Sequence, residues 1–223
     1  MNYFLPVLAV LLGYFFVIIV KPKEKKNLKL LLAFSGAFLL SLTVFNLLPE
    51  VYHSENTRII GVLIMSGILL QIFLEFFSKG AEHGHVHIDK NNNTFPWLLF
   101  FSLCIHSILE GFPIHQHETL IYGIIIHKLP IAIILSAFFI DSEINKYKAL
   151  TFLLLFSLMT PLGSLIADVF SFSTTFYMYA SALVIGIFLH ISTTILFESS
   201  EGHKFNISKL LVIIIGIIVA YII

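Results

Sequence analysis

The sequence predicts an all-α polytopic membrane protein, with eight transmembrane helices forming a single domain over residues 1–223. Three observations carry this expectation. The chain is 58% hydrophobic and 12% charged, with 23 Phe and a mean hydropathy of +0.96, a composition that excludes an ordinary soluble domain. Its apolar residues fall into runs of bilayer length, since roughly 20 helical residues cross about 30 Å of hydrocarbon. Its basic residues alternate between successive loops, as they do where they set membrane orientation.

The runs are approximately 2–20, 28–49, 59–77, 95–115, 119–140, 148–169, 176–197 and 208–223. Within the first run only Asn2 and Tyr3 come before its apolar stretch, without a basic n-region or a small-residue cleavage site, so it is expected to be a retained helix. The connections are short and polar, and the longest, 78–94, is rich in His.

Of the 13 Lys and Arg, eleven lie in alternate loops: Lys21, Lys23, Lys25, Lys26 and Lys29; Lys79 and Lys90; Lys146 and Lys148; Lys204 and Lys209. The intervening loops hold Arg58, and Lys128 lies inside the fifth run. This bias places the lysine-bearing loops in the cytoplasm and both termini on the extracytoplasmic side. The expected location is an integral, multi-pass position in the plasma (inner) membrane.

The formal net charge is zero, and the basic residues are spread as topology signals, so nothing points to a nucleic-acid partner. The lone cysteine, Cys104, excludes an intramolecular disulfide. Two residues before His106 it faces another side of the helix, where ordinary packing and a soft-metal contact are its two readings.

The fourth run contains His106-Ser107-Ile108-Leu109-Glu110-Gly111 and the fifth His127-Lys128-Leu129-Pro130. Ionisable groups at that depth are costly and mark sites that bind or move something. His106 and Glu110, four residues apart, share a helix face and can grip one cation. The two runs form a helical hairpin turning near Gln116, with His106 ten and His127 eleven residues from the turn. At about 1.5 Å per residue the imidazoles sit level, roughly 15 Å from the outer end and near the bilayer midplane. Two imidazoles and a carboxylate suit Zn²⁺ and also Fe²⁺, Co²⁺, Ni²⁺ or Mn²⁺, and are too nitrogen-rich for Mg²⁺ or Ca²⁺.

Pro113 and Pro130 remove the backbone bonds to the carbonyls of Leu109 and Ile126. Such groups are tolerated in hydrocarbon only when something satisfies them, which suggests a hairpin lining a cavity; a plain proline kink is the other reading. Asn46 and Ser107 are further candidate oxygen donors to the same ion.

These motifs resemble those of the ZIP family of divalent metal transporters, along nearly the whole chain. His106-Ser107-x-x-Glu110-Gly111 is similar to the family's fourth-helix motif, and His127-Lys128-x-Pro130 to its fifth-helix motif. Asn46-Leu47-Leu48-Pro49-Glu50 resembles the second-helix ending, Thr160-Pro161-Leu162-Gly163 the sixth-helix motif, and the His-rich third loop also fits. The resemblance implies a ZIP-type bundle, passage of Zn²⁺ or a related cation into the cytoplasm as transported substrate, a transport site on helices 4 and 5, and flanking helices related by inverted repeats.

The sequence departs from the family after the fifth-helix ligand. Where many members have an acidic or amide residue and then a Glu, this chain has Lys128 and Ile131. The Lys128 ammonium then stands where a second cation would sit, paired with Glu110 or another acid, leaving one metal site; snorkelling or a structural pairing elsewhere is the alternative.

Among the remaining polar positions, His83, His85 and His87 alternate in the third loop, as a weak collecting or regulatory metal site or as a soluble linker. Glu50, His53, Glu55, His115, His117 and Glu118 gather at the outer ends of helices 2 and 4, as an entrance funnel or as ordinary loop polarity. His190, well inside the seventh run, is an exit-path ligand or a hydrogen-bonded packing residue. Glu75, Asp168 and Glu198 lie near helix ends, where contact with headgroup water accounts for them.

The expectation is therefore a non-enzymatic transporter of divalent metal ions, with a homodimer as a possible assembly. Two rivals stand beside it: an intramembrane zinc-dependent hydrolase, with Glu110 as general base on a zinc-bound water, and a membrane metal sensor without transport. The hydrolase lacks a His-Glu-x-x-His signature.

Overall fold

The computed structural model describes residues 4–20, 25–53, 56–78, 80–81, 95–115, 119–142, 144–170, 172–198 and 207–223. Among the described residues there is no strand, and the helices form eight rods. We label them α1 (Leu5–Val20), α2 (Lys25–Leu42, continuing through Thr43–Leu47 and Leu48–Tyr52), α3 (Thr57–Ser78), α4 (Trp97–Gly111, tightening into a 3₁₀ turn at Phe112–His115), α5 (Leu120–Asp141), α6 (Lys146–Phe170), α7 (Thr174–Glu198) and α8 (Ile207–Ile222). In α2 a π-helical stretch, Thr43–Leu47, carries the rod past Pro49, whose nitrogen has no proton for the α-helical ladder.

Six rods, α2 to α7, are long and apolar enough to cross a membrane. The terminal rods α1 and α8 are equally apolar but have 16 residues each. At 1.5 Å per residue they reach about 24 Å, short of a hydrocarbon core of about 30 Å. The eight sequence runs thus each contain a helix, and among the described residues six of these helices have spanning length.

The distribution of side chains is that of a polytopic membrane protein. Leu8, Leu12, Phe16 and Ile19 of α1, Leu69, Phe73 and Phe76 of α3, and Leu158 and Leu165 of α6 face outward, while Ser35, Thr43, Gln71, Ser102, Ser107, Ser136, Thr160 and Ser164 are buried. Large apolar groups outside and small hydroxyls inside suit lipid as the solvent, where packing and internal hydrogen bonds hold helices together. Many hydroxyls satisfy themselves one turn back in their own helix, as Ser41 does on the Ala37 carbonyl at 2.8 Å and Thr43 on that of Leu39 at 2.8 Å.

The most extensive helix contacts pair α3 with α7, α1 with α5, α2 with α8, and α4 with α6. Two of these pairs cross at facing glycines. A Cβ on Gly67 would lie 1.9 Å from the Leu183 carbonyl oxygen and one on Gly186 2.0 Å from that of Ile64, so α3 and α7 meet backbone to backbone. Likewise a Cβ on Gly111 would lie 2.3 Å from the Thr160 carbonyl oxygen and one on Gly163 2.0 Å from that of Ile108, which locks α4 onto α6.

The apolar core has two main parts. One joins α2, α3 and α7 around Leu39, Leu47, Ile60, Ile185 and Phe188; the other joins α1, α4 and α6 around Val10, Leu103, Phe152 and Phe156. α5 supplies Ile124 and Ile134 to the first and Ile131, Leu135 and Phe139 to the second. It is therefore the shared wall of the bundle, and its polar residues lie in the seam.

Candidate metal site in the bundle core

The seam holds a polar cluster that is closed to solvent. His106, Ser107 and Glu110 project from α4, His127 and Lys128 from α5, and Thr160 from α6, none more than 2% exposed. The expectation that His106 and His127 sit level is met: their ring centroids are 6.2 Å apart with planes at 76°. Helical spacing does its part within α4, placing His106 Nε2 3.3 Å from Glu110 Oε2.

Lys128 turns into this cluster. Its Nζ lies 2.6 Å from Glu110 Oε1, donates to Ser107 Oγ at 2.9 Å, and sits 4.4 Å from the centroid of the Phe156 ring. Of the two sequence readings for this lysine, the geometry places it on Glu110. Burying both charges is costly in itself, and the attraction repays the cost only because each group has additional partners. The Phe156 ring face adds a cation–π contact.

Thr160 completes the arrangement by donating Oγ1–H to Glu110 Oε1 at 2.6 Å. Behind it Ser164 Oγ donates to the Gly111 carbonyl at 2.8 Å. Sequence reasoning gave Thr160 no role, although it opens Thr160-Pro161-Leu162-Gly163; a polar residue one step before a mid-helix proline was the available signal. The site thus has three walls. α4 and α5 are consecutive but each packs mainly on another helix, α4 on α6 and α5 on α1, and the polar side chains fill the gap between them.

Other expectations resolve differently. The Leu109 carbonyl, freed by Pro113, accepts the Phe112 N–H as the helix end tightens into the 3₁₀ turn, so the bond that the proline removes is made up within the helix end. Pro130 lies inside α5. Cys104 is buried in the apolar cluster of Phe100, Leu103 and Phe152, which is the packing reading.

Asn46 is exposed and lines a shallow depression with Leu42, Leu47, Thr119 and Leu120. Leu120 is seven residues before His127, about 10 Å along α5, so Asn46 is not brought to the cluster. Ser107 is in the cluster, with its hydroxyl engaged by Lys128.

His190 is paired away from the core, its Nε2 2.6 Å from Glu75 Oε2 across the α3–α7 interface, both side chains partly buried. Glu75, near the end of α3, is thus paired with His190 while part of its side chain stays exposed. Glu50 and His53 are exposed at the end of α2. His83, His85 and His87, together with Glu55, His117 and Glu118, lie outside the described residues.

Chemically the cluster offers two imidazoles and one carboxylate oxygen facing an imidazole, with the other carboxylate oxygen held by an ammonium and a hydroxyl. Among the described residues no three His, Cys, Asp or Glu side chains are gathered at the spacing that closes on an ion. With Lys128 and Thr160 on Oε1, the carboxylate presents Oε2 to His106.

Comparison with known proteins gives concordant matches. A family model described as ZIP zinc transporter matches residues 78–223, which includes α4 to α8. The chain is 30% identical over 93 residues to "Zinc transporter ZIP1" of Danio rerio, covering 38% of this chain and 30% of that protein. It is 28% identical over 150 residues to "Protein zntD" of Dictyostelium discoideum, covering 57% of this chain and 22% of that protein. The matches thus span under a third of the length of either relative.

Proposed function

Because this chain belongs to the ZIP zinc transporter family, we propose that it carries Zn²⁺, or a similar divalent transition metal, across a membrane toward the cytoplasm, with His106, Glu110 and His127 as the ion's core ligands. The observation that carries this reading is the His106–Glu110–His127 cluster itself, buried and charge-balanced at the seam of an otherwise apolar bundle. The imidazole and carboxylate donors fit Zn²⁺, and small rotations of the two imidazoles would aim both at one ion. A transported ion must be bound tightly enough to be captured and loosely enough to leave.

In this reading all eight helices span the membrane, α1 and α8 with help from flanking residues, and both termini are extracytoplasmic, in the plasma (inner) membrane. Lys128 occupies a second cation's place beside Glu110, so the site takes one metal. The His190–Glu75 pair lies along the ion's exit path, and His83, His85 and His87 collect the ion on the cytoplasmic side. The family favours transport over the hydrolase and sensor readings.

Reconstituted protein in liposomes tests the proposal. Saturable Zn²⁺ uptake that is lost in His106→Ala and Glu110→Ala supports it. Binding without flux would identify a sensor, and turnover of an added substrate an enzyme.

A further inference from the structure

Thr160 does not bond within its own helix, as many hydroxyls of this bundle do, and it differs from Ser102 and Ser164, which also donate across helices, in reaching a side chain and not a backbone carbonyl. Ser41, Thr43, Ser192 and Thr194 each donate to a carbonyl one turn back in their own helix. Thr160 instead donates across the α4–α6 crossing to Glu110 Oε1 at 2.6 Å. The crossing holds it there: the Gly111 and Gly163 backbones leave no room for a Cβ on either side, and Ser164 ties α6 to the Gly111 carbonyl. Glu110 Oε1 therefore receives two donors, the Thr160 hydroxyl and the Lys128 ammonium at 2.6 Å, while Oε2 faces His106 Nε2 at 3.3 Å. An oxygen with two such donors has both of its in-plane lone-pair positions engaged.

We propose that Thr160 is a positioning and specificity residue: it commits one oxygen of Glu110, so that the carboxylate meets a metal ion through the other oxygen alone. This rests on the assignment of His106, Glu110 and His127 as ligands. A single-oxygen carboxylate with two imidazoles makes a site of low coordination number, which suits four-coordinate Zn²⁺. It disfavours Mn²⁺, which takes more oxygen ligands in octahedral geometry. Thr160 touches no ion; it acts through the carboxylate.

The test uses the purified full-length protein in detergent, titrated with Zn²⁺, with Mn²⁺, and with Co²⁺ as a visible-absorption probe of coordination. Thr160→Val, close to isosteric but without the hydroxyl, should bind Zn²⁺ about 10- to 100-fold more weakly. It should lose less affinity for Mn²⁺, and show fainter visible absorption per bound Co²⁺ as the carboxylate gains freedom to chelate. Thr160→Ser should restore wild-type behaviour, which a role in packing alone would not require. If Thr160→Val does not fold, Thr160→Ala replaces it. A hydroxyl-free variant with the wild-type Zn²⁺-to-Mn²⁺ ratio and Co²⁺ spectrum overturns this inference alone. Binding that survives His106→Ala overturns the ligand assignment, and this inference with it.

Discussion

Lys128 Nζ lies 2.6 Å from Glu110 Oε1, with neither side chain more than 1% exposed. Two groups of opposite charge are thus buried together where three helices meet, and each is tolerated through the other together with Ser107, Thr160 and the Phe156 ring. Removing one partner of such a pair strands the other charge, at a cost of about 3–5 kcal/mol, whereas removing both with similar shapes is often near neutral. Glu110→Gln and Lys128→Met should therefore each lower the thermal stability of the purified protein sharply, and the double variant should recover most of the loss. A double variant no more stable than the worse single one would show that the ion pair is not what ties these residues together.

The same pair sets the expected metal count. Lys128→Asp replaces a tethered cation with a carboxylate beside Glu110, which favours a second ion. Metal analysis after Zn²⁺ loading should give one ion per protomer in the wild-type protein and two in the variant. An equal count of two in both proteins would contradict the single-site reading.

The glycine crossings separate stability from site geometry. Gly163→Ala and Gly186→Ala each place a methyl group 2.0 Å from a backbone oxygen of the facing helix, so both should destabilise by about 1–3 kcal/mol. Gly163→Ala should also weaken Zn²⁺ binding, because pushing α6 from α4 draws Thr160 off Glu110. Gly186→Ala, at the α3–α7 crossing, should leave affinity at the core cluster unchanged. Calorimetric titration of the two variants distinguishes these outcomes.

His190 and Glu75, 2.6 Å apart on α7 and α3, are expected to act on passage and not on capture. His190→Ala and Glu75→Gln should each reduce the rate of Zn²⁺ uptake into liposomes severalfold, with the metal content of the core site unchanged. Loss of the core metal in either variant would assign the pair a role in the central site.

Much of the architecture was legible because hydrocarbon leaves a chain few options. Runs of apolar residues near bilayer length must be helices, since backbone groups in lipid have no partner outside the segment; each of the eight runs contains one. Periodicity placed His106 and Glu110 on one face, and counting from the α4–α5 turn set His106 level with His127. What escaped the sequence was lateral. Length along a helix says nothing of which rods touch, so the packing of α4 on α6, and with it Thr160, could not be read from spacing. The partner of Glu75 stayed hidden for the same reason, as it lies 115 residues away.

The sequence by itself determined that this is a multi-helix membrane protein with ionisable residues at matched depth on its fourth and fifth helices, because hydropathy and the rise per residue act within single segments. The tertiary structure alone decided that Lys128 turns inward onto Glu110 and that Thr160 holds the same oxygen. A long flexible side chain in hydrocarbon goes wherever a partner satisfies it, and the crossing of Gly111 on Gly163 places that partner within reach.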